Sequence, residues 1–219
     1  MLRNRQRDLK RLCGRFKVLQ DMSKTGRHYL MSGGDHTRRL YQFALGFQDA
    51  DFRKTIADEF MEEMGKLELL SKLGLILVPA LGGIALGATL QHCFYGKKPS
   101  LAYAEKIDGL LQLARGFELP KNKCIAIFDD VTSTGNSFRR LLEICEGRDA
   151  GPVVFCGAVV NRNPQGFPAE KHLISIAHCA LINDPIGAFS PEACPDCLEG
   201  VPLEKDGIIV TPKGERRLL

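Results

Sequence analysis

Two adjacent carboxylates, Asp129 and Asp130, end the apolar run Cys124 to Phe128 and are followed by Val131, Thr132, Ser133, Thr134, Gly135, Asn136 and Ser137. An apolar strand that turns through small and hydroxyl residues into a helix offers consecutive backbone N–H groups at a helix N-terminus, where the dipole also favours an anion. Gly135 lets the backbone approach closely, and the Thr134 and Ser137 hydroxyls add donors. Carboxylates touching a phosphate would repel it. One step away, Asp129 and Asp130 can accept hydrogen bonds from two sugar hydroxyls. A phosphate site and a diol site at fixed separation describe a ribose 5-phosphate. The segment is not a Walker A loop, because no Gly-Lys-Ser/Thr follows a GxxxxG. The plainer reading is an Asp-Asp turn followed by a Thr/Ser helix cap.

These groups need elements to hold them. Leu75–Val78 is a continuous apolar run ending in Pro79 and a glycine-containing turn, with a helix expected from Ile84 to Phe94. Ser100–Ala104 and Val153–Val160 read as further strands, Leu173–Ala177 as a weaker one, and a helix is expected to start near Gly135. Such alternation predicts a parallel sheet covered on both faces, where ligands bind beyond the strand ends. Asp49 is placed to cap a helix over residues 50–69 with Phe52, Ile56, Phe60 and Met64 on one face. Leu9, Leu12, Phe16 and Leu19 give residues 5–21 helical spacing, and the stretch around Ser32-Gly33-Gly34-Asp35 predicts a hairpin or two short strands. The result is a three-layer α/β fold, with a parallel sheet of about five strands, in a single domain over residues 1–219. Its core covers about 46–177, and the flanking segments 1–45 and 178–219 form a small hood. Residues Gly207 to Leu219 read as a frayed tail.

Composition sets bounds. The chain has 219 residues, is 44% apolar and 26% charged, and carries a net charge of +4. That charge suits an anionic substrate and is too weak and scattered to argue for nucleic acid. The apolar stretch Leu73 to Leu90 is broken by Pro79 and glycines, so no membrane span and no secretory signal is expected. Among eight cysteines, Cys124, Cys145 and Cys156 sit in apolar runs, which points to a reduced, cytoplasmic protein. Cys194-x-x-Cys197 with His178-Cys179 upstream resembles half a zinc site. Adjacent strand residues point to opposite faces, so free or redox-active thiols are preferred over structural zinc at Cys194 and Cys197. His28, His36, His92 and His172 read as isolated surface or loop residues. Arg3, Arg5, Arg7, Lys10, Arg11 and Arg15 read as a solvated helix face.

The strand-Asp-Asp-x-x-x-Thr-Gly-x-Ser pattern resembles the phosphoribosyl-pyrophosphate motif of type I phosphoribosyltransferases. Residues His28 to Gly33 are similar to the N-terminal strand and turn of the orotate branch, Pro79 to Gly83 to its pyrophosphate loop, and Arg115-Gly116-Phe117 to the end of its flexible loop. Glu192 to Leu203 resembles the tail of one branch, so the likeness spans most of residues 26 to 205. By that resemblance Asp129 and Asp130 hold the ribose, and Thr134, Gly135, Asn136 and Ser137 hold the 5-phosphate. Ala80, Leu81, Gly82 and Gly83 receive pyrophosphate, with a non-proline cis peptide expected at Ala80-Leu81; simple strand-to-helix packing is the plainer reading of those glycines. Lys106 and Arg115 are expected on the diphosphate. Magnesium is expected as cofactor, held mainly by substrate oxygens and water. Arg162, after the strand Val153–Val160, matches the base-binding arginine and can fork onto the orotate carboxylate. Its plainer reading is a solvated loop arginine. The partners implied are phosphoribosyl pyrophosphate, orotate or a similar base, and a second copy of the chain in a homodimer.

Ser133 stands where purine-type relatives carry an acid, which favours a base that needs no proton removed from its ring. The candidate lid from Tyr103 to Phe117 has only Lys106 and Arg115 as basic residues, with Leu110, Leu111 and Leu113 prominent and Ala114 where relatives often carry a second arginine. Met31 likewise stands where some carry lysine. Two other readings stay open: a transferase for another pyrimidine-like or aromatic acid, and a regulatory protein that binds phosphoribosyl pyrophosphate without turnover.

Overall fold

The computed structural model describes residues 2–31, 33–96, 98–167, 176–205, 208–210 and 216–218, with the backbone alone for 2, 3, 208–210 and 216–218. The chain opens with α1 (Leu2–Arg15), β1 (Leu19–Asp21), α2 (Met22–Thr25), β2 (His28–Leu30), β3 (His36–Thr37), β4 (Arg39–Tyr41) and α3 (Phe43–Gly46). The central part is α4 (Ala50–Lys66), β5 (Leu73–Pro79), α5 (Gly82–Cys93), β6 (Ser100–Ile107), β7 (Leu110–Gln112), β8 (Cys124–Thr132), α6 (Asn136–Gly147), β9 (Val153–Asn161) and β10 (Ala177–Asn183). It closes with α7 (Pro195–Leu198), β11 (Leu203–Lys205), β12 (Ile208–Val210) and β13 (Arg216–Leu218).

The central sheet runs β10-β9-β8-β5-β6-β7, parallel except for β7, which returns antiparallel beside β6. Strand alternation divides the core into two layers. Ile76, Val78, Ala126, Phe128, Phe155 and Val159 pack with Phe52, Ile56 and Phe60 of α4 and Leu86 and Leu90 of α5. The intervening Leu75, Leu77, Ile125, Ile127, Cys156 and Ala158 pack with Phe138, Leu141, Leu142 and Cys145 of α6. Those four helix positions follow the i, i+3, i+4, i+7 spacing of one apolar stripe. Each fully buried large side chain here contributes about 1.5–3 kcal/mol. Burial also pushes the Cys145 thiol up to about 11, so it behaves as a small hydrophobe.

α4 begins where expected, with the Asp49 carboxylate accepting from the Phe52 N–H at 2.8 Å. At the N-terminus the periodicity misleads. The helix stops at Arg15, Lys17 takes a positive φ of 55°, and Leu19 belongs to β1, paired with β4. Nor is the basic face of α1 simply solvated. Arg5 pairs with Glu59 and Glu63 of α4, and Lys10 Nζ reaches Asp184 at 2.7 Å.

The hood is built from both chain ends: its five-stranded sheet runs β13-β12-β11-β2-β3. The stretch from 207 onward is therefore not wholly a tail, since Ile208–Val210 and Arg216–Leu218 are strands. Residues 178–183, placed in the hood by sequence, instead complete β10 at the edge of the central sheet. The expected strand at Leu173–Ala177 lies, apart from its last residues, outside the described residues, as do Ser32 and His172.

Candidate functional site

β8 runs on past its apolar segment, so Asp129 and Asp130 are strand residues rather than the first residues of a loop. It keeps pairing with β9 (Asp129 with Ala158, Thr132 with Asn161), whereas its pairing with β5 ends at Ile127. The two carboxylates therefore lean to opposite sides of the strand. Asp129 lies against Ser137 at the start of α6, and Asp130 lies against Gly82 of the neighbouring turn. A side chain on Gly82 would collide with the Asp130 carboxylate. Burial pushes both acids above the usual carboxylate range, and the neighbouring Asp130 charge raises Asp129 further. Such a pair suits hydroxyl ligands, which donate to it and relieve its desolvation.

Gly135 precedes α6 with a φ of 80°, a left-handed conformation natural to glycine, and its carbonyl accepts from the Arg139 N–H at 2.9 Å. Asn136 and Ser137, in the first turn of α6, line the cavity, at the helix end that favours an anion. Across the cavity, the peptide Ala80-Leu81 is cis. Gly83 is closed in by Val78 and Pro79.

A cavity of about 840 Å³ joins these parts. Of the residues singled out by sequence, Ala80, Gly82, Lys106, Asp129, Asp130, Val131, Ser133, Asn136, Ser137 and Arg162 line it. Leu81, Gly83, Thr132, Thr134, Gly135 and Arg115 do not. Thr132 is buried, and Leu81 and Thr134 point outward. Arg115 is held away from the cavity by Glu105, with Nη2 3.2 Å from Oε2. A comparably large hollow beside α1 is lined by Lys10, Arg11, Lys24 and Arg27 and contains none of the motif residues.

The candidate lid is a β-hairpin. Asp108 and Gly109 form its two-residue turn, both at positive φ (49° and 81°), the turn chemistry for which Asp-Gly is a sequence signal. Leu111 and Leu113 serve packing, whereas Leu110 is exposed. Leu113 is buried in the α6 layer, and α6 grips the returning strand through Arg140 to the Leu111 carbonyl and Arg148 to the Leu113 carbonyl, at 3.1 and 2.9 Å.

Arg162 is not a solvated loop residue: it is 3% exposed. Its Nη2 donates to Thr37 Oγ1 at 3.0 Å and its Nη1 to Met31 Sδ at 3.3 Å, while Nε has no hydrogen-bond partner among the described residues. Burial, with Arg39 nearby, makes its charge harder to hold, and Asp184 partly compensates. Asp184 itself is shared among Lys10, Arg39 and Tyr41. A buried guanidinium lining a cavity suits an anionic, planar ligand. Sequence reading missed Tyr41, Lys205, Arg139 and Arg140, which also line the cavity. The Arg139-Arg140 pair in the first turns of α6 was a readable signal. Tyr41 reaches the cavity from β4, which pairs with β1, and Lys205 from the end of β11, which pairs with β2.

No family model matches the chain. It is similar to the orotate phosphoribosyltransferase of Thermotoga maritima, 28% identical over 194 residues that cover 87% of this chain and 97% of the relative. The orotate phosphoribosyltransferase of Caldicellulosiruptor bescii is 28% identical over 184 residues, covering 82% and 88%. Among solved structures, orotate phosphoribosyltransferase of Mycobacterium tuberculosis with inorganic phosphate aligns with a TM-score of 0.57 at 17% identity, covering 82% of this chain and 96% of that one. Adenine phosphoribosyltransferase of Thermoanaerobacter pseudethanolicus aligns at 0.51 and 16% identity, covering 66% and 88%. The chain has the type I phosphoribosyltransferase fold and is, in sequence, a relative of the orotate phosphoribosyltransferases.

Proposed function

We propose that the chain transfers the 5-phosphoribosyl group of phosphoribosyl pyrophosphate to orotate, giving orotidine 5'-monophosphate and pyrophosphate. The observation that carries the choice of base is the buried Arg162 guanidinium, set in the wall of the same cavity as the Asp129–Asp130 pair. Ser133 in the loop has no acid to take a ring proton, and an already anionic base needs none.

In this reading the N-terminus of α6, with Asn136 and Ser137, holds the 5-phosphate. Asp129 and Asp130 accept from the two ribose hydroxyls, one from each side of β8. The turn at Ala80 to Gly82 receives the diphosphate, and Lys106 neutralises it from the lid strand. The Asp130 carboxylate beside Gly82 is an oxygen donor of the kind a hard cation takes, so the site fits magnesium held mainly by the diphosphate. That ion would neutralise the departing pyrophosphate. As the bond from the anomeric carbon to pyrophosphate lengthens, the buried carboxylates favour the positive charge growing on the ribose, and the orotate nitrogen attacks from the opposite face. Arg162 fixes the base carboxylate, so the chain contributes position, charge and exclusion of water.

The reading includes a cytoplasmic homodimer. It is supported by the apolar Leu81 and Leu110, 85% and 56% exposed beside the cavity, which a partner would cover. Light scattering on the purified protein tests this. Among the described residues no helix is long and apolar enough to cross a membrane. The function is tested by following orotate absorbance with phosphoribosyl pyrophosphate and magnesium, beside an Asp129→Asn/Asp130→Asn control. Orotate loss that the control abolishes is the expected result. Phosphoribosyl-pyrophosphate binding without orotate loss would leave the other two readings, a different acceptor or a sensor.

A further inference from the structure

Away from the cavity, His28, His36, Cys194 and Cys197 each bring one ligand atom to within 4.8 Å of all the others. The CxxC does not meet His178-Cys179, the pair beside it in the sequence argument. His178 stacks on Phe167 at the other end of the chain's central sheet. Its partners are the two histidines read from sequence as isolated surface residues, which are in fact buried strand residues. We propose that these four side chains form a structural zinc site that ties the two ends of the chain together in the hood.

The spacing is that of four ligands gathered round one point. Zinc–sulfur and zinc–nitrogen bonds of about 2.3 and 2.0 Å imply ligand atoms roughly 3.3–3.8 Å apart. Cys197 Sγ lies 3.3 Å from His28 Nε2 and 3.2 Å from His36 Nδ1. The His28 tautomer fits as well: Nδ1 lies 3.0 Å from the Pro202 carbonyl, must carry the proton to donate there, and so leaves Nε2 as a lone pair facing the sulfur. His28 and His36 share a face of the β2–β3 hairpin, because Leu30 pairs with His36 and alternate residues point the same way. The His36 backbone is locked by two hydrogen bonds to Phe189 (2.8 and 2.9 Å). Between the cysteines, the buried Asp196 is gripped by Arg38 through Nε at 3.0 and 2.9 Å, which sets the turn from Cys194 to Cys197. Two thiolates and two neutral imidazoles suit zinc better than a hard cation.

Such a site would close a loop of more than 160 positions, since the bonded pairs are separated by 161 and 169 residues. It restrains β3, whose next residue, Thr37, holds Arg162 from the opposite face of the strand. This consequence rests on the orotate reading; the metal assignment does not.

Metal content of the full chain, purified from zinc-supplemented culture, should be close to one zinc per chain. The Cys194→Ser/Cys197→Ser variant should lose it. On wild-type protein, which avoids any folding failure of the variant, stripping the zinc and adding Co2+ should produce the tetrahedral d–d and thiolate charge-transfer bands. Removal of the metal should also expose both thiols to a thiol reagent and raise the orotate KM several-fold. Protein that binds neither zinc nor Co2+, that keeps its zinc in the double variant, or that carries a Cys194–Cys197 disulfide would overturn the site. Zinc bound without any use of orotate would keep the site and remove the transferase reading.

Discussion

Arg162 at the end of β9 donates to Thr37 of the hood strand β3 at 3.0 Å, so a group delivered by the central sheet is aimed by a residue from the other end of the fold. The Thr37 hydroxyl in turn shares its one proton between the backbone carbonyls of Arg39 and Gly187, at 3.0 and 3.1 Å, which leaves its oxygen fixed as an acceptor. Thr37→Val keeps the shape and removes that acceptor. Loss of about 1 kcal/mol of positioning should raise the orotate KM about 3- to 10-fold with little change in phosphoribosyl-pyrophosphate affinity, as steady-state kinetics and calorimetry would read.

Arg162→Ala removes the charge itself. Hydrogen bonds to charged groups are worth about 1.5–3 kcal/mol, so the orotate KM should rise about 10- to 100-fold. Unchanged orotate kinetics in this variant would mean that the base lies elsewhere in the cavity.

Gly82 is closed to any side chain by the Asp130 carboxylate. Gly82→Ala should push that carboxylate, the turn or both out of place. Displacements of about 1 Å at a reacting site can cost on the order of 100-fold, and a loss of that order in kcat/KM is expected. The melting temperature reports separately whether the fold suffers.

Asp129 is raised above the usual carboxylate range in the folded chain, chiefly by burial. Its contribution to stability is therefore fully present below its unfolded pKa and is lost as pH rises through the folded one. Without substrate, Asp129→Asn should melt higher than wild type at pH 8, by about 2–4 °C for each kcal/mol relieved, and the gap should close as pH falls towards 4. Turnover should be lost at every pH. A gap that widens on acidification would show that the pair is not desolvated in solution.

Lys106 lines the cavity, whereas the exposed Arg115 is paired with Glu105. Lys106→Ala should lower kcat on the order of 100-fold. Arg115→Ala should cost less than about 5-fold, as expected for loss of an exposed ion pair.

Much of this arrangement is local and so was legible in the residues. The apolar run leading into Asp129-Asp130 and the helix starting near Gly135 each follow from short-range spacing. So does the Asp49 cap. Asp108-Gly109 was equally local and marks the hairpin of the lid. The end of α1 at Arg15 was not legible, because the apolar spacing continues to Leu19 while the backbone turns at Lys17.

The sequence by itself determined the βα rhythm, the strand-to-helix loop over 131–137 and the carboxylate pair, because these depend on neighbours within a turn or two and on side-chain period. Only the tertiary structure decided that Arg162 is buried against Thr37, that Arg115 is turned to Glu105, and that His28 and His36 meet Cys194 and Cys197. Those relationships join positions up to 169 residues apart. Except for the Arg115–Glu105 pair, which is local to the lid hairpin, they depend on which strand edges pair in the hood, and no periodicity within one segment encodes which distant edge a strand will find.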